Sequence, residues 1–281
     1  MLDKILQTIE RIPAFPATVR KVEELISAGD YSAAQLARVI ELDQAIAAQI
    51  LKMSNSAYFG VRQPIRSIMD AVTYLGQENI IRAVRTAGIS KFFHGPLKGY
   101  VPTAVQLWEH SVAAALMSQI LFQKLYRRRN HQLYTAALLH DVGKLVMGEF
   151  VGASFQKVME RVIHHGCSFL EAEEQIIGIN HAEVGRRIAE HWKFPEDIKE
   201  AIAFHHRPDL LEKENKTIPW LVYLSDQICL MTGIGVGEDG LAYRGLGEVI
   251  EKFNLRMRDV EESIVELTDQ LEAARGLVNI E

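Results

Sequence analysis

The stretch LLHDVGKL, Leu138 to Leu145, sets a histidine beside an aspartate among aliphatic residues. A carboxylate in such surroundings is costly unless it is paired or metal-bound. The apolar spacing from Asn130 to Leu145 predicts one helix that carries the pair. Neighbouring positions on a helix diverge by about 100°, so His140 and Asp141 can share an ion only if other helices bring further ligands from the sides. Lys144 follows His140 by four residues and Asp141 by three, which stands it over both on one face. Gly143 leaves room for another helix to approach closely. Taken alone, the pair is open between a satisfied buried hydrogen bond and part of a metal site.

Other segments narrow that choice. His110 lies in LWEHSVAAAL, a long apolar helix, and His181 opens the helix INHAEVG. His205 and His206 follow AIAF at a helix end, and Asp226 is an acid inside the apolar LVYLSDQICL. Imidazole and carboxylate ligands suit Zn, Fe, Mn, Co or Ni, one or two divalent ions, without distinguishing among them. The absence of thiolates from the set excludes a zinc finger. Seven candidates exceed the three or four ligands of one catalytic ion, which leaves room for two ions sharing Asp141.

The rest of the chain reads as helices with local start signals. Ser32 with Gln35, and Ser168 with Glu171, form capping boxes. Asp43, Ser67, Thr103 and Asn180 stand before further helices, and Pro195 with Glu196 and Asp197 opens another. Five or six short helices fill residues 1–93 as an N-terminal lobe, within which Asn55 and Ser56 should fix a turn. HGPLKGYVP, His94 to Pro102, reads as a connector, and residues 94–232 as a second helical block with the site. Residues 233–281 hold the glycine-rich GIGVGEDG, read as a surface loop. They end in an amphipathic helix whose apolar face is Val260, Ile264, Leu267, Leu271, Ala274 and Val278. The fold class is all-α.

Composition removes other classes. Of 281 residues only Cys167 and Cys229 are cysteines, so a disulfide framework is excluded and both thiols should be inert. A net charge of −5 argues against bulk nucleic-acid binding, and Arg127 to Arg129 read as a solvated helix end. The charged start MLDKILQTIE is no signal peptide, and no uncharged apolar run nears the roughly 18 residues of a membrane span. A cytoplasmic location without membrane contact is the expectation. Half of the ten histidines, His94, His131, His164, His165 and His191, read as surface or packing residues, with His191 half-buried beside Trp192.

HDVGK, with His110 before it and Asp226 after it, resembles the HD superfamily of metal-dependent phosphohydrolases. The resemblance implies that His110, His140, Asp141 and Asp226 hold one metal. His181, His205 and His206 resemble the second-metal histidines of the HD-GYP branch, and Lys144 its lysine beside the reacting phosphate. A fuller similarity is to the HDOD domain, a bacterial signalling relative. It is carried by IPAFPATVRKVEELI, YSAAQLARVIELDQAIAAQILKMSNSAYFG, IRSIMDAVTYLGQENI, HDVGKL and NHAEVGRRIAEHWKFPEDIKEAIAFHHRP, in family order from Ile12 to Pro208. That implies an all-α fold, with the N-terminal helices packed on an HD-like core. It further implies a regulatory role through signalling protein partners. The alternative is a phosphohydrolase acting on a small phosphate ligand, with Asp141 and Lys144 as its catalytic residues. RPDLLEKENK follows His206 where HD-GYP proteins carry Gly-Tyr-Pro, so the resemblance stops short of cyclic di-GMP hydrolysis. Many HDOD domains have lost metal ligands, whereas this chain keeps a nearly full set.

Overall fold

A computed structural model of the chain describes residues 1–56, 59–61, 63–90, 92–93, 100, 103–212, 214, 216–234 and 246–275. Among them every regular element is helical, as the all-α reading predicts. They group into two compact units. One takes Met1–Pro13 with Phe93–Leu267, and the other takes Ala14–Phe92 with the chain from Thr268 on.

The first unit starts with α1 (Leu2–Glu10). The second holds α2 (Ala17–Ala28), α3 (Ala33–Glu41), α4 (Gln44–Ser54), α5 (Ile68–Leu75) and α6 (Gln77–Ser90). Local chemistry sets their ends. Ser32 and Gln35 close the predicted capping box, and Asp43 and Ser67 accept from the third backbone N–H of their helices. Each removes a donor that would otherwise be orphaned at a helix start. Asn55 fixes the turn after α4. Its amide donates to Leu51 O and Ile65 O, and its Oδ1 accepts from the Ile65 N–H, all at 2.8 Å.

The core of the first unit is built on α7 (Ala104–Tyr126), capped by a Thr103–Gln106 box. Nearly every residue from Leu107 to Phe122 is buried, because the small residues Ser111 and Ala113–Ala115 let helices close in from several sides. α8 (His131–Leu139) and α13 (Thr217–Met231) pack against it and against each other. α9 (Lys144–His165), α10 (Phe169–Ile177), α11 (His181–His191) and α12 (Glu196–Phe204) complete the core. Ser168 and Asn180 cap α10 and α11 as their sequence predicts. α14 (Leu246–Lys252) and α15 (Met257–Arg275) follow, and Val260, Leu267, Leu271 and Ala274 are buried on the amphipathic face expected of the last helix. No helix among the described residues is long and apolar enough to cross a membrane.

One expectation fails. The predicted helix Asn130–Leu145 is two helices, with His140 to Gly143 as a turn between them. Val142 and Lys144 bond to carbonyls three residues back, Leu139 and Asp141, so the backbone tightens there. The cause is the crossing beside it. A Cβ on Gly143 would sit 1.9 Å from His181 O and 2.7 Å from Gly185 N. The turn therefore passes α11 backbone to backbone, a contact that only glycine admits. Val278, His94 and Gly235 to Gly240 of the glycine-rich loop lie outside the described residues.

Candidate metal centre

The break between α8 and α9 aims His140 and Asp141 inward together. His140 is 0% exposed and Asp141 1%. Around them the fold brings His110 from α7, His181 from the start of α11, His205 and His206 from the end of α12, and Asp226 from α13. All seven residues singled out for metal binding meet in one cluster, with Lys144 beside it.

Asp141 is the centre of the arrangement. Its Oδ1 lies 3.6 Å from Nε2 of both His181 and His205. Its Oδ2 lies 3.4 Å from His140 Nε2, 3.9 Å from His110 Nε2 and 2.5 Å from Lys144 Nζ. Two groups result, each with ligand atoms within 4.8 Å of one another: Asp141, His181, His205 and His206, and Asp141, His110 and His140. Asp226 adjoins the second group, its Oδ1 2.9 Å from His110 Nε2 and 3.7 Å from His140 Nε2.

The far side of each ring explains why the near side faces in. Nδ1 of His140 donates to Ala137 O and that of His205 to Ile202 O, both at 2.7 Å. Nδ1 of His110 meets Ile234 O at 3.0 Å, and that of His181 meets Glu173 Oε2 at 2.7 Å. A carbonyl or carboxylate opposite Nδ1 requires the proton there, so in neutral His140, His181 and His205 the Nε2 lone pair points into the cluster, whereas His110 has an acceptor, Asp226 Oδ1, at Nε2 as well. His140 Nε2, His205 Nε2 and Asp141 Oδ1 are buried without a hydrogen-bond partner. Unpartnered buried acceptors cost roughly 1–3 kcal/mol each, and a cation among them would offset that cost. The donor set therefore fits a metal ion.

The carboxylates draw positive charge into the cluster, including a proton on His140 that a metal ion would have to displace. Burial works against charging His140, but the Asp141 and Asp226 carboxylates outweigh it and hold its imidazole up at about 10. Burial likewise opposes the charge of Asp141, and Lys144 and His140 overcome it, so its carboxyl stays well below the usual range. Asp226 is held low by His110 and His140 against the same burial penalty. His205 goes the other way. Burial lowers it to about 4, only partly offset by Asp141, which keeps its imidazole neutral. Burial also raises the Cys229 thiol, and Asp226 adds to the rise, so that cysteine stays protonated and inert as expected.

Sequence reasoning missed Glu173 and Tyr100. Glu173 is fully buried, and its Oε2 accepts from the ring and the backbone N–H of His181. Its other oxygen accepts from the Tyr100 hydroxyl. Lys144 Nζ stands 5.6 Å from the Tyr100 ring centroid. Nothing in EAEEQ separates Glu173 from Glu174 except which face of α10 turns inward. The set-aside histidines among the described residues, His131, His164, His165 and His191, stay apart from the cluster. His164 and His165 are exposed at the end of α9, and His131 is half-exposed at the start of α8. His191 is exposed rather than half-buried, because Trp192 alone turns inward there, donating to Pro13 O.

This helical core with a His–Asp pair in its central turn defines an HD-type fold. The chain matches the HDOD domain family over residues 12–208 and belongs to that family. It is similar to an HDOD domain protein of unknown function from Geobacter sulfurreducens. That structure is 25% identical, with a TM-score of 0.79 over 99% of this chain and 97% of that one. A Shewanella amazonensis SB2B protein, named provisionally as a phosphohydrolase, shares the fold at 18% identity. Its TM-score is 0.71, covering 98% of each chain. An uncharacterised protein of Treponema pallidum (strain Nichols) is 23% identical over 223 residues, 76% of this chain and 41% of that protein. The chain thus spans about two-fifths of the length of that curated relative.

Proposed function

We propose that this chain is a signal-transduction protein whose helical core binds one or two divalent ions and acts through protein partners. The observation that carries the reading is the set of unpartnered, inward-facing atoms, His140 Nε2, His205 Nε2 and Asp141 Oδ1. His110, His140, Asp141, Asp226, His181, His205 and His206 would hold the metal, and Asp141 would serve both groups. Fe, Mn, Ni, Co and Zn all suit these ligands. A bound ion would polarise a water or a phosphoryl oxygen.

A second reading, a phosphohydrolase, is favoured by Lys144, a buried cation beside Asp141. There Lys144 would hold equatorial phosphoryl oxygens, and Asp141 would fix the lysine and the ions in register. Elemental analysis after neutral purification without chelator tests the common core. We expect at least one ion per chain, and fewer than about 0.1 overturns both readings, pH being held because ligand protonation competes with metal. Metal-dependent turnover of cyclic dinucleotides, linear dinucleotides or nucleoside phosphates would select the enzyme, and none across that panel the regulator.

A further inference from the structure

The two groups of the cluster are unequal, and Lys144 separates them. In one, Asp141 Oδ1 faces Nε2 of His181 and His205 at 3.6 Å and accepts no hydrogen bond. His206 closes this group, its Nε2 2.8 Å from Nε2 of His181. Two ring nitrogens so close must share a proton or a cation. Glu173 braces the group from behind by accepting twice from His181, and Tyr100 in turn holds Glu173.

The other group is neutralised from within. Lys144 Nζ lies 2.5 Å from Asp141 Oδ2, the oxygen that a second ion would need. His110 is gripped at both nitrogens by α13 and its end, at Asp226 Oδ1 (2.9 Å) and Ile234 O (3.0 Å). The Gly233 backbone at φ 78° and the Ile234 N–H bond to Cys229 O set that carbonyl in place. A cation entering here must break two buried pairings and stand beside an ammonium.

We propose that the first ion goes to His181, His205, His206 and Asp141, and that Lys144 is a built-in cation that keeps the His110–His140–Asp226 group a weaker, conditional site. This rests on the metal-binding reading and adds an order of filling to it. The order makes the second site a point of control, because whatever draws the ammonium off Asp141 Oδ2, an anionic ligand above all, opens it to an ion.

Calorimetric titration of the chelator-stripped full chain with Zn²⁺ tests the order. Two classes of site are expected, at least about 100-fold apart in affinity, since only the weaker one requires the two buried carboxylate pairings, Lys144–Asp141 and His110–Asp226, to be broken. His206→Ala, at a half-exposed position that folding should tolerate, is expected to weaken the first class by about 10-fold or more and leave the second. Asp226→Asn should do the reverse. Lys144→Met, of similar length and without charge, should raise the second affinity by about 10-fold or more. Circular dichroism checks that each variant is folded. The proposal is overturned if Asp226→Asn removes the tight ion while His206→Ala keeps it, or if Lys144→Met leaves the second affinity unchanged. Those results would leave metal binding itself intact. A wild-type chain that takes up no ion overturns both.

Discussion

Each unit of this chain contains a buried charge cluster, and the two are built in opposite ways. In the lobe of α2–α6, Arg85 is 2% exposed and closes on Glu23 through two parallel bonds of 2.5 and 2.8 Å. The guanidinium fork and the carboxylate match each other, so that pair is complete without any added group. In the core, Asp141 is shared among four histidines and a lysine, and buried atoms are left over. A buried charge that its neighbours saturate is a fixture of the fold. Converging lone pairs that nothing saturates mark a place where something binds.

The strongest blow to the second kind is Gly143→Ala. The added Cβ would meet backbone, His181 O at 1.9 Å and Gly185 N at 2.7 Å, so no side chain can swing aside to relieve it. A loss of about 4 kcal/mol or more is expected, at the severe end for one substitution. A lower urea midpoint with less retained metal is the outcome to look for, and a wild-type midpoint would refute the close crossing. Arg85→Ala strikes the other cluster. It should cost about 3 kcal/mol, the low end for breaking a buried pair, because Glu23 keeps 26% of its side chain in solvent. Metal content should stay at the wild-type level. If it fell, the two clusters would not be independent and the contrast would fail.

Metal removal comes next in size. At free ion about 100 times the dissociation constant, binding to the folded state adds about 2.7 kcal/mol, which chelation takes away. For a chain of this size the melting temperature should drop by roughly 5–10 °C, in wild type and Arg85→Ala alike. Readdition of the ion should restore it. An unchanged melting temperature would mean that the unpartnered atoms of the core are not where an ion binds.

The sequence reveals these regions unequally, for physical reasons. Helix starts are legible because a cap is a contact across three residues, so Ser32, Asp43, Ser168 and Asn180 announce themselves. The cluster's residues are legible because histidines and acids stand out in apolar helices. The turn at His140–Gly143 is hidden, since no proline marks it and its cause is the backbone of α11, forty residues away. Glu173 is hidden for the same kind of reason. Glu174 is of the same type and lies next to it on the same helix, and only packing decides that Glu173 holds a histidine. The Arg85–Glu23 pair spans 62 residues and has no local signature at all.

A third way of placing charge, at the surface, sets the lower bound of the comparison. At the start of α15, Asp259 accepts from the Arg256 backbone N–H at 2.9 Å and from its guanidinium at 3.0 and 3.1 Å. The Arg256 side-chain and backbone bonds hold the Asp259 carboxyl at about 2, below its ordinary 3.8. A carboxyl depressed in the folded state stabilises the protein fully above its unfolded pKa, and that contribution disappears as pH falls from about 4 to about 2. Water screens this pair, unlike the buried ones, so its effect should be the smallest of the four. Asp259→Asn should lower stability slightly at neutral pH and converge with wild type near pH 2. Carboxyl chemical shifts would follow the titration directly. A midpoint for Asp259 at the ordinary aspartate value would show that Arg256 does not hold it in solution. The buried clusters would then be the only charges in the comparison that their partners measurably fix.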